Sequence, residues 1–339
     1  MYHKFCTILV MIVLVNTILK AADDKVKFTG YGSTGLKVYN ERFSQQTYYE
    51  GKFQAEINLK KGIEAQLDFR GNSTDNAVDL REFSIKFEVT DKLNLRVGNI
   101  KKPFSYEYLT SREELYTVER SLLVQNMAIR GYGGRSVSVM AYHKYKKKTP
   151  EFPFSYYVSA YKNNSFSSGL VTRGEYHYKD CSFALTYMLH SRGGWVGDNF
   201  HGAGIDLMFE KNKYFANLNV MAAQDPEVSK QRREQLNRDD EVVYGLGSTV
   251  IAAKTFILDK RVVYGLEPVL SWSIYVPDSN EIKRHINNTI IGVNIYFTKD
   301  VRLRIHGDLR LTRDKYFDTF NNEYSKNRSG YIVDLQVRY

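Results

Sequence analysis

Apolar and polar residues alternate along most of this chain with a period of two. Phe53, Ala55, Ile57 and Leu59 alternate with Lys52, Gln54, Glu56, Asn58 and Lys60. Ile63, Ala65, Leu67 and Phe69 alternate with Glu64, Gln66, Asp68 and Arg70. The same pattern runs through residues 82–89, 291–297 and 301–311, and closes the chain with Tyr331, Val333, Leu335, Val337 and Tyr339 against Asp334, Gln336 and Arg338. Successive side chains of a strand point to opposite faces, so each segment reads as a strand with one apolar and one wet face. Strands are expected to start near residues 26, 47, 62, 79, 92, 134, 152, 170, 181, 202, 213, 242, 262, 287, 300 and 330, about sixteen in all. Residues 243–275 alternate least clearly, because Gly245, Gly247 and Gly265 interrupt the pattern.

The joints sort by length. Lys60-Lys61-Gly62, Thr90-Asp91-Lys92, Lys179-Asp180, Lys211-Asn212-Lys213 and Thr298-Lys299-Asp300 are tight polar turns. Residues 40–46, 71–78, 103–133, 191–200, 225–241, 277–286 and 314–329 form longer joints. Short turns at one end and long loops at the other are the pattern of a transmembrane antiparallel β-barrel, whose size leaves a water-filled channel lined by the polar faces. The aromatic-terminated last strand resembles the closing strand of bacterial outer-membrane barrels, and Tyr339 is then expected to be read by the barrel assembly machinery. A soluble β-sandwich would use the same alternation but gives no reason for loops sorted by length.

Composition fits this all-β reading. Mean hydropathy is -0.43, with 26 Tyr, 19 Phe and 6 Pro in 339 residues. Aromatic abundance suits the two interfacial girdles of a barrel. The one apolar run, Ile8 to Val15, follows Lys4 and precedes Ala21-Ala22, as in a secretory signal. Residues 1–21 are therefore expected to be a cleaved signal and 22–339 the barrel domain. Of the two cysteines, Cys6 leaves with the signal and Cys181 remains alone, so no internal disulfide is expected. Losing Lys4 and Lys20 from 48 basic residues leaves 46 against 38 acidic, a net charge of +8. That excess suits an anionic partner, whether nucleic acid, the head groups of outer-membrane lipid or a small anion.

Little in the chain suggests catalysis or a cofactor. Gly30-Tyr31-Gly32-Ser33-Thr34-Gly35 matches G-x-G-x-x-G, but strand rather than helix follows it, so a dinucleotide site is rejected. The seven histidines show no metal-ligand spacing. Ser136 and Ser138 near His143 could suggest a hydrolase, without further support. No cofactor, metal or nucleic-acid partner is expected.

Residues 103–133 are expected to form the third external loop, with Leu115, Val118 and Leu122 spaced for a short helix. Their apolar content favours packing over exposure. Here Leu95-Arg96-Val97-Gly98-Asn99-Ile100-Lys101-Lys102-Pro103-Phe104, then Leu109-Thr110-Ser111, Glu119-Arg120-Ser121 and Arg130-Gly131, with Leu80-Arg81-Glu82-Phe83 upstream, resembles the phosphate-selective porin O and P family. The likeness is strong over about residues 79–135. It implies a trimeric sixteen-stranded porin of the outer membrane, its third loop folded into the lumen, passing phosphate or other small anions.

Arginine suits such a path because it stays ionised and binds phosphate oxygens bidentately, and successive sites let an anion pass onward. Arg302, Arg304 and Arg310 form a row on one lumen-facing strand. Arg96, Lys101, Arg112, Arg120, Arg130 and Arg135 come from or adjoin the family-like segment. Glu56, Glu64, Asp68, Glu82, Glu88, Asp308 and Asp334 share the inward faces, and are expected on walls opposite the bases. Phosphate selectivity and general anion-preferring diffusion both fit. A surface adhesin using the barrel as a scaffold is the competing reading.

Overall fold

The computed structural model describes residues 25–40, 44–73, 76–146, 152–162, 167–192, 198–236, 242–312, 317–318, 323–324 and 328–339. The expected signal lies outside them. Sixteen antiparallel strands form a closed barrel: β1 (Val26–Tyr39), β2 (Ser44–Lys60), β3 (Ile63–Asn72), β4 (Ala77–Thr90), β5 (Leu93–Lys101), β6 (Arg135–His143), β7 (Phe154–Lys162), β8 (Ser167–Tyr178), β9 (Cys181–Arg192), β10 (Asp198–Lys211), β11 (Tyr214–Gln224), β12 (Tyr244–Lys254), β13 (Gly265–Val276), β14 (Ile286–Tyr296), β15 (Val301–Thr312) and β16 (Arg328–Arg338). Each pairs with its sequence neighbours, and β16 closes on β1 from Tyr31↔Arg338 to Tyr39↔Gly330. Closure leaves no open edge, so every ladder group inside the bilayer has a partner. Every expected strand is present. A short extra strand, Phe256–Ile257, extends the β12–β13 hairpin beyond the wall, and Phe317–Asp318 pairs with Glu323–Tyr324 in a separate two-stranded piece.

The alternation sets which side is wet. On β16, Tyr331, Leu335, Val337 and Tyr339 are exposed on the outer face, while Asp334 and Gln336 are buried inside. On β15, Ile305, Leu309 and Leu311 face out and Arg302, Arg304, His306 and Asp308 face in. A large apolar surface of this kind would be costly in water but matches the hydrocarbon of a membrane. Tyr339 pairs with Gly30 through both backbone groups, at 3.1 Å each. A Cβ on Gly30 would stand 2.5 Å from the Tyr339 hydroxyl. Gly30 and Gly35 of the rejected nucleotide motif thus serve strand packing, whereas a Cβ on Gly32 would meet nothing within 4 Å.

Tight turns follow their residues: Asn212 and Lys213 both take positive φ, 49° and 65°, as a two-residue hairpin turn requires. The sorting by length is looser than the sequence suggests. Residues 144–153 and 255–264 are longer connections at the turn end, and residues 40–43 and 163–166 are short ones at the other.

Candidate functional site in the barrel lumen

Residues 102–134 connect β5 to β6, and their placement begins within β5. Gly98 has φ +142°, and a Cβ there would lie 2.1 Å from the Phe83 carbonyl oxygen, so only glycine fits. Next, Lys102 is buried, its Nζ 2.8 Å from the Gly131 carbonyl and 4.3 Å from the Tyr161 ring centre. Burial pulls that amine down to about 8. Both ends of the segment are thereby clamped to one point of the wall.

The helices differ from the expected one. Helix α1 (Tyr106–Leu109) is capped by Ser105, a 3₁₀ turn spans Arg112–Glu114, and α2 (Leu122–Met127) is capped by Ser121. Leu115 and Val118 are buried but non-helical. The spacing of Val118 mimicked a helix because it packs on Tyr48 and Ile332 of the wall from an irregular backbone. The Glu107 carboxylate accepts from the Ser121 amide and from its hydroxyl (2.6 Å), joining α1 to α2. Full burial pushes that carboxyl upward.

Phe104, Leu122, Leu123, Val124, Met127 and Tyr132 pack on Val171, Met188, Met221, Ala223, Tyr275 and Ile286, which face inward from β8, β9, β11, β13 and β14. Small residues make room: a Cβ on Gly247 would meet Leu123 at 2.9 Å, and one on Gly202 would meet Tyr132 at 2.5 Å. This explains the interrupted alternation near 245. Arg130 bonds Asp225 and Asn126, and Asp225 also accepts from the Val228 amide (3.1 Å) at the start of α3 (Pro226–Leu236).

Residues 112–121 meet other strands. Lys52 contacts Glu113 at 2.8 Å, Arg112 contacts Glu50 at 3.2 Å, and Lys37 bonds Glu119. Arg302 donates to the Glu113 and Leu115 carbonyls at 2.8 and 3.1 Å. Arg304 donates to the Thr117 carbonyl at 3.3 Å and pairs with Asp334 at 2.7 Å. Asn294 donates to the Tyr116 carbonyl at 2.9 Å, and the Tyr116 ring stacks on Phe215 at 4.3 Å.

The candidate residues therefore separate. Arg302 and Arg304 hold backbone carbonyls. So does Lys101, through those of Leu109 and Thr110, and Arg120, through those of Glu107 and Thr110. Arg130 is fully enclosed. Arg96 pairs with Glu82 at 2.7 Å, and Arg135 with Glu82 and Asp68 at 3.2 Å each. Acids and bases thus interleave on one wall rather than facing each other from opposite walls; adjacency lets each carboxylate offset its neighbour's charge. Arg310 stands apart. Among the described residues its Nε has no hydrogen-bond partner. It borders a crevice between Glu119, Arg120 and Gln125 of the connection and Asn288, Asp308 and Arg328 of the wall. Arg310 and Arg328 are direct cross-strand partners, and Asp308 contacts Arg328 at 3.0 Å.

Two arginines escape the sequence reading. Arg328 was missed because its strand start was placed at 330. Arg81 makes no ion pair among the described residues and lies beside Arg135 and Arg70, where a bulge in the β3–β4 ladder turns it inward. Ser136 and Ser138 are one strand length from His143, and Ser138 bonds the Ser136 carbonyl instead. Among the described residues no cluster could hold a metal.

Residues 47–239 match the family model described as phosphate-selective porin O and P. Curated protein sequences give no match. Among solved structures, the anion-selective porin from Comamonas acidovorans is similar with TM-score 0.68 and 10% identity, covering 93% of this chain and 99% of that one. OmpF of Salmonella typhi, in complex with daunomycin, has TM-score 0.65 and 12% identity over 93% and 97%. OmpT of Vibrio cholerae, also solved in a trimer form at TM-score 0.60, 8% identity and 93% and 99% coverage, has the same fold.

Proposed function

The chain belongs to the phosphate-selective porin O and P family and is an outer-membrane porin, a channel rather than an enzyme; on that premise we propose that it passes small hydrophilic anions, phosphate among them. The observation that carries the reading is the Arg310–Arg328 pair. Two like charges directly opposite on a ladder repel unless something negative sits between them. Asp308 offsets one, and the Arg310 guanidinium borders the crevice, where it would meet a passing anion. Arg81 and Arg135 of the wall and Arg112 of the connection continue the basic path, each beside a carboxylate or another arginine, so an anion is handed on rather than trapped. The connection between β5 and β6 narrows that path. In this reading Lys101, Arg120, Arg302 and Arg304 hold the constriction in shape, and Arg96 and Arg130 support it.

We further propose a homotrimer, by analogy with the trimer form of OmpT. Export would follow cleavage after Ala21, and assembly would depend on Tyr339, whose ring covers Gly30. Deleting Tyr339 is expected to cut the yield of heat-modifiable barrel in the outer membrane severalfold; normal yield would remove that role.

The reading is tested by reversal potential in a KCl gradient across a planar bilayer, repeated with phosphate. Anion bias with phosphate block supports a saturable phosphate site. Bias without block leaves a general anion-preferring porin, and no bias defeats the proposal.

A further inference from the structure

All seven connections at the turn end carry a lysine: Lys61, Lys92, Lys146, Lys179, Lys213, Lys260 and Lys299. Together, residues 61–62, 91–92, 144–153, 179–180, 212–213, 255–264 and 297–300 hold 11 basic and 5 acidic residues, a net of +6. Of the short connections at the opposite end, residues 73–76, 163–166 and 193–197 hold no lysine or arginine, and residues 40–43 hold one arginine beside one glutamate, a net of zero. The asymmetry belongs to one rim, not to the chain at large.

Lysines at or next to this rim stand beside aromatic rings of the strand ends and turns. The Lys254 ammonium lies 3.1 Å from the centre of the Tyr214 ring and 5.5 Å from that of Phe256. Lys179 lies 5.2 Å from Tyr178, and Lys92 lies 5.3 Å from Phe152. Tyr178, Tyr214 and Phe256 are about half exposed on the outer face. An amphipathic ring with a cation beside it is the arrangement of a membrane interface, where the ring meets acyl chains and the amine meets headgroups. The β12–β13 hairpin adds Phe256, Ile257, Leu258 and Val262, all exposed, past the end of the wall. Such a tip is unfavourable in water and favourable at the headgroup–acyl boundary.

We propose that this rim is a binding collar for anionic phospholipid headgroups of the periplasm-facing leaflet. The negative groups of the rim leave the collar basic: Asp180 is taken up by Lys211 at 3.1 Å and Asp300 lies 4.0 Å from Arg338, leaving Asp91 and Asp259 as the other carboxylates of the described turns. Phosphodiesters would be contacted by lysines spaced around the barrel, so the collar selects charge rather than one lipid molecule. It would hold the barrel at a fixed depth and tilt. An anionic polymer such as peptidoglycan could meet the lysines, but it has no use for the outward rings and the apolar hairpin tip.

The test uses the folded full-length barrel in mixed micelles of phosphatidylglycerol and phosphatidylcholine, with retained lipid identified by native mass spectrometry. One variant carries glutamine, and a second arginine, at Lys92, Lys179, Lys213, Lys254 and Lys299. Heat-modifiable gel mobility confirms folding of each. Wild type and the arginine variant are expected to retain phosphatidylglycerol preferentially, and the glutamine variant to lose roughly tenfold of that preference. Equal retention of the two lipids by wild type, or an undiminished preference in the glutamine variant, would overturn the collar. So would lysine-dependent co-sedimentation with isolated peptidoglycan in the absence of a lipid preference.

Discussion

The inner wall from β7 to β14 and the inner wall from β15 round to β6 meet the same connection in different ways. The first offers Val171, Met188, Met221, Ala223, Tyr275 and Ile286 to a hydrophobic cluster. The second offers Lys37, Lys52, Arg302 and Arg304, which bind carboxylates and carbonyls of residues 113–119. Apolar burial is worth roughly 25 cal/mol per Å² and is indifferent to direction. Charge-assisted hydrogen bonds fix direction and position. One wall therefore supplies most of the docking energy, and the other fixes the position of the connection. The row Arg302, Arg304 and Arg310, uniform in sequence, is cut by this boundary: two members hold the connection and the third faces the crevice.

The largest expected effect comes from breaking the apolar side. Leu123→Asp with Met127→Asp puts two carboxylates into a cluster where both residues are buried. Burying unpaired charge is prohibitive, so the connection should leave the wall and single-channel conductance should rise severalfold. Unchanged conductance in folded protein would mean the connection does not set the bore.

A smaller effect is expected from Arg302→Ala with Arg304→Ala. Removing one partner of a buried pair typically costs about 3–5 kcal/mol, here by stranding Asp334 and freeing three carbonyls of the connection. Current noise and mean conductance should increase, with anion preference only modestly lower. Loss of selectivity at constant conductance would instead place both arginines in the path.

Most of the barrel was legible from the chain, and most of the division of labour was not. Strand alternation is local: Val301, Leu303 and Ile305 against Arg302, Arg304 and His306 reveal the faces without any partner. The family-like segment was legible for a related reason, since Gly98 and Lys102 act on neighbours within their own hairpin or connection. What stayed hidden rests on distant pairings. Arg302 meets the Leu115 carbonyl across 187 residues, and Asn294 meets that of Tyr116 across 178. No spacing rule reaches that far. Val118 was misread as helical for the same reason, because its apolar partners Tyr48 and Ile332 lie on strands rather than on a shared helix. The glycines near 245 carried a usable signal: small inward residues in a strand mark where another backbone approaches closely.

A third, smallest effect is a pH dependence at the clamp. The Lys102 amine is held at about 8 in the fold, against about 10.5 for an exposed lysine. Between those values the unfolded chain binds more protons, so this residue adds stability as pH rises from 8 to 10.5. In detergent, wild type should gain thermal stability relative to Lys102→Met across that window. A constant difference would show that the amine does not titrate there.

The most direct test of the boundary between the two walls is the reversal potential of Arg310→Gln beside that of Arg302→Gln, each in a KCl gradient at equal protein folding. Loss of most anion preference in Arg310→Gln, with conductance near wild type, is the predicted result. Preserved preference in Arg310→Gln, with the loss appearing in Arg302→Gln instead, would contradict the account.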